Sequence, residues 1–185
     1  MAADITTFDK KFLKKPIKLI VSDVDGTLVD TDKHISDVTV QAMKEAMAEG
    51  ITVAVASGRA FGEMGEVLQR LPEIEEYICS NGAVVVEQKG NQSKVIFHQS
   101  FSNEEGLWLL DQLLPFEVYI EAYGGKDIYG SANEMEAFAA NLSPHLIPLM
   151  KASRTMVPNL RDYIVETGMD LSLIHISEPT RPEPI

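Results

Sequence analysis

The sequence predicts an α/β fold built on a parallel sheet, and three observations carry that reading. Short, almost wholly apolar and β-branched runs at 17–22 (IKLIVS) and 51–56 (ITVAVA) read as strands buried on both faces, as parallel strands are. Between them Val40, Met43 and Met47 step by three and four, the period of a helix with one packed face. Polar, chemistry-bearing residues follow each strand directly, and open parallel sheets bind ligands outside the carboxyl ends of their strands.

Each element has its own local signal. Ser36 can cap the first helix and Gly50 stops it. After 51–56, Phe61, Met64, Leu68 and Leu71 mark a second helix ended by Pro72, and EYICS (76–80) supplies a third strand. This β-α-β-α-β order with short connections suits right-handed crossovers. Past Gly82 the texture changes: AVVVEQ (83–88) and KVIFHQ (94–99) flank a KGNQS turn and read as an antiparallel hairpin opening a different subdomain. Ser102 with Glu105 fits a capping box for a helix carrying Leu107, Leu110 and Leu114. FEVYIEAY (116–123) reads as a strand, a helix is expected from Asn133 through Leu142, and 145–170 reads as partly helical.

Bulk composition narrows the function. The 185 residues are 45% hydrophobic, enough to bury a core, and no internal repeat is present. A formal charge of −12 argues against nucleic acid or an anionic membrane as partner. The one basic cluster, Lys10, Lys11, Lys14 and Lys15, lies in a polar leader. Cys79 is the sole cysteine, which excludes an internal disulfide and fits the cytosol. No apolar run approaches the roughly 20 residues of a membrane span. His34, His98 and His145 lack metal-ligand spacing, so none is a ligand candidate.

The three strand ends are Asp23, Asp25, Gly26 and Thr27; Ser57, Gly58 and Arg59; and Ser80, Asn81 and Gly82. Asp23 and Asp25 are two apart, so in extended chain both carboxylates leave on one side. Such a pair is tolerable if a divalent cation such as Mg²⁺ binds there or if one carboxyl stays protonated. Either condition suits phosphoryl transfer, with one carboxylate as nucleophile and the other as acid and base. A DxDG segment is also an ordinary turn, but abutting a buried strand it carries a desolvation cost that surface turns avoid.

These segments, IKLIVSDVDGTL (17–28), VAVASGR (53–59) and CSNGAVV (79–85), in this order and spacing, resemble the haloacid dehalogenase superfamily, and within it the Cof-type phosphatases of subfamily IIB. The resemblance implies a Rossmann-like core at 16–83 after a leader at 1–15, with an inserted α+β cap of the C2 type at 84–170. It implies that Asp23 is the phosphorylated nucleophile and a Mg²⁺ ligand, and that Asp25 supplies a backbone-carbonyl ligand and a side-chain acid/base. Gly26, Thr27, Ser57, Gly58, Arg59 and Asn81 are then expected around the phosphate, with Arg59 and Asn81 there or at the core–cap seam. A small phosphorylated metabolite, of the sugar phosphate type, is the implied substrate.

The resemblance also calls for a lysine and a GDxxND-like acidic pair after the cap, and neither is in the sequence. Residues 171–185, LSLIHISEPTRPEPI, break with the preceding pattern. Read back into codons, LSLIHISEPTR resembles a transposon-end sequencing adapter. The expectation is therefore a C-terminally truncated, inactive chain with a tail outside the fold. Losing the later core strands would turn the central first strand into an edge. A non-catalytic phosphate-binding or regulatory protein and a phosphomutase are the alternatives that strand-end motifs do not separate.

Overall fold

The computed structural model describes residues 16–116, 118–139 and 146–177. The polar leader, the end of the helix expected to reach Leu142, and the tail from 178 lie outside them. The first unit alternates β1 (Leu19–Ser22), α1 (Asp37–Ala48), β2 (Thr52–Ala56), α2 (Gly65–Arg70) and β3 (Glu76–Cys79). β1 and β3 flank β2 in parallel, with Ile20 beside Val53 and Val55 beside Tyr77. Ser36 caps α1 by accepting from the Thr39 amide, and Gly50 takes the left-handed φ of +79° that ends it.

Two expectations for this unit need correction. β1 is not buried on both faces: it is an edge strand, and Leu19 and Val21 are 55% and 50% exposed. Only the Ile20 face reaches the core shared with Val40, Met43 and Met47 of α1. The second helix is broken into a 3₁₀ turn at Phe61–Glu63 followed by α2; Phe61, Met64 and Leu71 are buried as expected, while Leu68 is only partly buried and Val67 takes the inward position beside it. Gly62 and Gly65 weaken the helix there, and the Ala60 amide turns to the Glu63 carboxylate at 3.2 Å.

The hairpin β4 (Val84–Lys89) and β5 (Gln92–His98) forms as expected, but it does not open a separate subdomain. β4 pairs antiparallel with β3, so one five-stranded sheet runs β1-β2-β3-β4-β5. A period-two pattern specifies a hairpin without naming the sheet it joins. The second unit begins after it, with α3 (Asn103–Leu113), β6 (Tyr119–Gly124), β7 (Asp127–Ser131), α4 (Ala132–Ala139), α5 (Leu146–Ser153), β8 (Thr155–Val157), α6 (Leu160–Thr167) and β9 (Leu173–Ser177). Its sheet order is β8-β7-β6-β9. Leu110, Ile120, Ala122, Val157, Leu160, Ile164 and Leu171 form its core. The Ser102–Glu105 capping box of α3 is present in full.

The segment from Leu171, expected to stand outside the fold, contributes a strand. β9 pairs antiparallel with β6 from Tyr119–Ser177 to Tyr123–Leu173, and Leu171 is fully buried against Gly106. The physical reason is local: an alternately apolar, β-branched stretch satisfies an open strand edge whatever its origin. Among the described residues, no helix is long and apolar enough to cross a membrane.

Candidate active site

The loop after β1 is organised by what it buries. Val24, Leu28 and Val29 point into the core. The Val24 carbonyl accepts from the amides of Thr27 at 3.3 Å, Leu28 at 3.0 Å and Val29 at 3.0 Å. Gly26 supplies the turn with φ +74°, a region costly to any residue with a Cβ. Asp23 and Asp25 are thereby left on the solvent side. The desolvation argued from sequence is only partial, because the strand carrying them is an edge and Asp25 keeps 43% of its side chain exposed.

The two carboxylates differ in their partners. Asp25 is gripped by Arg59, whose Nε donates to Oδ2 at 2.8 Å and Nη2 to Oδ1 at 2.6 Å, and by Lys33 Nζ, which donates to Oδ1 at 2.8 Å. The Arg59 fork, opposed by partial burial and assisted by Lys33, holds the Asp25 carboxyl at about 2. Arg59 in turn has its pKa raised, first by its hydrogen bonds to Asp25, with Asp23 adding a smaller push of the same sign. The Asp23 side chain makes no hydrogen bond or ion pair with any described residue.

The other two strand ends meet this loop, as their sequence positions predict. The Ser57 amide donates to the Ile78 carbonyl at 2.9 Å, the Ser80 amide to the Arg59 carbonyl at 2.9 Å, and the Asn81 amide to the Ser57 carbonyl at 3.3 Å. A Cβ on Gly58 would stand 2.8 Å from Asn81 Oδ1, so the Asn81 side chain lies directly over Gly58. Ser80 and Asn81 hold left-handed φ values of 50° and 55° to make the turn. Ser57 is buried, and its hydroxyl accepts from the Arg59 amide at 3.3 Å. The Thr27 amide is committed to Val24, the Ser57 hydroxyl meets Arg59, and the Arg59 guanidinium meets Asp25.

Sequence reasoning missed Lys33. It sits in a loop shaped by Asp30, whose Oδ1 accepts from the amides of Asp32 and His34, both at 2.9 Å. Asp30 at a TDKH turn is a readable Asx-turn signal, but nothing in that signal says where the turn aims its lysine.

A profile of haloacid dehalogenase-like hydrolases matches residues 20–160, which spans both units and the three strand ends. The chain belongs to the haloacid dehalogenase-like hydrolase family. Among curated relatives, phosphatase YwpJ of Bacillus subtilis is 29% identical over 126 residues, 68% of this chain and 43% of the relative. Among solved structures, a haloacid dehalogenase-like hydrolase from B. subtilis superposes with a TM-score of 0.64 at 22% identity, covering 84% of this chain and 59% of that one. The HAD subclass IIB sugar phosphatase BT4131 does so at 0.60 and 20% identity, covering 82% and 56%. At such identities these structures attest the fold. The chain spans about half or less of the length of the first curated relatives it matches.

The donor set of the β1 loop fits part of a Mg²⁺ site. Asp23 offers an exposed carboxylate and the Asp25 backbone a carbonyl, both hard oxygens, and Mg²⁺ commonly takes one or two protein carboxylates and keeps its waters. Among the described residues, no group of three or more His, Cys, Asp or Glu side chains could hold a metal ion.

Proposed function

We propose that this chain carries the nucleophile half of a cytosolic, Mg²⁺-dependent phosphatase acting on small phosphomonoesters of the sugar phosphate type. The observation that supports this reading is the contrast between the two aspartates. One carboxylate is exposed and without a hydrogen-bond partner among the described residues, and beside it stands one held by two cations. The Asp23 carboxylate attacks phosphorus, the bond to the leaving alcohol breaks, and that oxygen takes a proton from Asp25. Water then gives a proton to Asp25 and attacks the aspartyl-phosphate, releasing phosphate and restoring Asp23.

Asp25 with a carboxyl at about 2 stands in its base form at neutral pH. To donate a proton it must shed a cation. Lys33, half exposed, has room to leave, whereas Arg59 Nη1 is tied to the Glu63 carbonyl at 3.1 Å. Mg²⁺, held by Asp23 and the Asp25 carbonyl, would offset phosphate charge. Gly26, Gly58 and Asn81 shape the floor on which the phosphate rests. The unit from α3 onward serves as the cap that excludes water and selects the substrate.

The chain by itself is read as a fragment, since the lysine and acidic pair implied by the resemblance are missing from its sequence. Turnover of p-nitrophenyl phosphate should accordingly stay far below the ~1 per second floor of ordinary enzymes. The direct test of the nucleophile is ¹⁹F NMR with beryllofluoride and Mg²⁺, which mimics an aspartyl-phosphate without requiring turnover. A bound signal that vanishes in Asp23→Asn is expected. A signal that survives the substitution, or none in the parent chain, refutes the assignment.

A further inference from the structure

The residues from Arg59 to Glu63 face two ways. Towards the β1 loop, Arg59 holds Asp25 through Nε and Nη2, while its third nitrogen, Nη1, donates to the Glu63 carbonyl at 3.1 Å. Towards the second unit, Glu63 Oε1 accepts from Arg154 Nη1 at 3.0 Å, and Oε2 from the Ala60 amide at 3.2 Å. Arg154 lies between α5 and β8. It is bound there by Glu121 of β6 through Nε and, at 3.3 Å, through Nη2, and it also donates to Ser153 Oγ at 2.7 Å.

This trio is shielded from water. The side chains of Glu121, Arg154 and Glu63 are 2%, 11% and 18% exposed, so their charges interact more strongly than surface charges do. Among the described residues, Glu63–Arg154 is the ion pair that joins the two units. Around it, the Gly62 amide reaches the Lys126 carbonyl at 3.4 Å, and Ala60 packs with Tyr123, Ile128 and Leu173. Both bonds from Arg154 to Glu121 lie inside the second unit. If the units part, Arg154 stays with Glu121, and Glu63 is the group that changes partner.

We propose that Glu63 and Arg154 are positioning residues for Asp25, so that docking of the second unit fixes the angle of the Arg59 fork. A guanidinium is planar and its five N–H groups are rigidly related. Moving the Glu63 carbonyl beneath Nη1 therefore tilts Nε and Nη2, the two atoms that hold Asp25. Neither Glu63 nor Arg154 touches the reacting atoms. This inference rests on the role given to Asp25 above.

The test uses the full chain with Glu63→Gln, which removes the charge, keeps an acceptor for the Ala60 amide and leaves the Arg154–Glu121 pair intact. Cysteines replacing Ala42 of α1 and Glu166 of α6, both exposed, carry dyes for single-molecule energy transfer, while Cys79 is fully buried and stays unlabelled. Glu63→Gln should raise the low-transfer, undocked population by about 5- to 30-fold, the factor that one or two kcal/mol carries. It should also shift the ¹⁵N resonance of Arg59 Nε towards its position in Asp25→Asn. A latch without a positioning role would change the first readout and leave the second still.

Arg154→Lys perturbs the same pair from the other side and must move the Arg59 resonance too, which decides the matter if Glu63→Gln does not fold. An unmoved Arg59 resonance, or unchanged energy transfer, overturns the proposal. Neither readout needs turnover or metal, so the nucleophile reading stands or falls separately on the beryllofluoride signal.

Discussion

Replacing Arg59 by Met is the sharpest probe of the site, because it keeps the aliphatic stem, which is mostly buried, and deletes the fork on Asp25. The carboxyl falls from 3.8 to about 2 in the folded chain, and at ~1.36 kcal/mol per tenfold that corresponds to about 2.4 kcal/mol before screening. Asp25 keeps 43% of its side chain exposed, and solvent screening reduces the figure to about 1 kcal/mol. The carboxyl is depressed on folding, so its contribution is complete above 3.8 and fades as pH falls through about 2.

Urea unfolding at pH 7 should therefore show Arg59→Met less stable by about 1 kcal/mol, with the gap narrowing steadily as pH falls from 4 towards 2. A ¹³C titration of the Asp25 carboxyl in metal-free buffer should give a midpoint raised from about 2 but still under 3.8, because Lys33 remains. Two results would sink the reasoning: a variant midpoint that stays at about 2, or a stability gap as wide at pH 3 as at pH 7. The latter would assign the loss to packing.

Two further outcomes are expected. Gly58→Ala places a methyl 2.8 Å from Asn81 Oδ1, the tip of a side chain that can turn aside, so the loss should stay below about 1 kcal/mol; a larger fall in the thermal melting midpoint would contradict this. Cys79 is fully buried, and burial pushes its thiol up to about 12, so an aromatic disulfide reagent at pH 8 should react only after denaturation. Prompt reaction of the native chain would show that the sheet opens locally.

The core of the fold was legible because its signals are local and periodic. The steps of three and four through Val40, Met43 and Met47, the Ser36 cap and the Gly50 stop each name a position on one helix. β7 and β8 left no comparable trace, since DIYGS carries Asp, Gly and Ser in place of the continuous apolar, β-branched run of β1 and β2, and TMV is only three residues long. The convergence of Asp25, Arg59 and Asn81 was readable from strand ends alone, because topology brings those ends together. Lys33, Glu63, Glu121 and Arg154 were not, as their meeting depends on a loop angle and on the pose of one unit against the other. Composition and spacing encode neither.

The pairing of β9 with β6 has a consequence for how this chain meets other polypeptides. Main-chain hydrogen bonding does not discriminate by sequence, so the β6 margin behaves as a receptor for extended peptide, currently filled from within at high effective concentration. Tethering by the Phe101–Leu171 bridge keeps that occupant at hand. Withdraw the tether, and the same margin becomes a place where a strand from a neighbouring molecule can add itself, exchanging an internal closure for an intermolecular one.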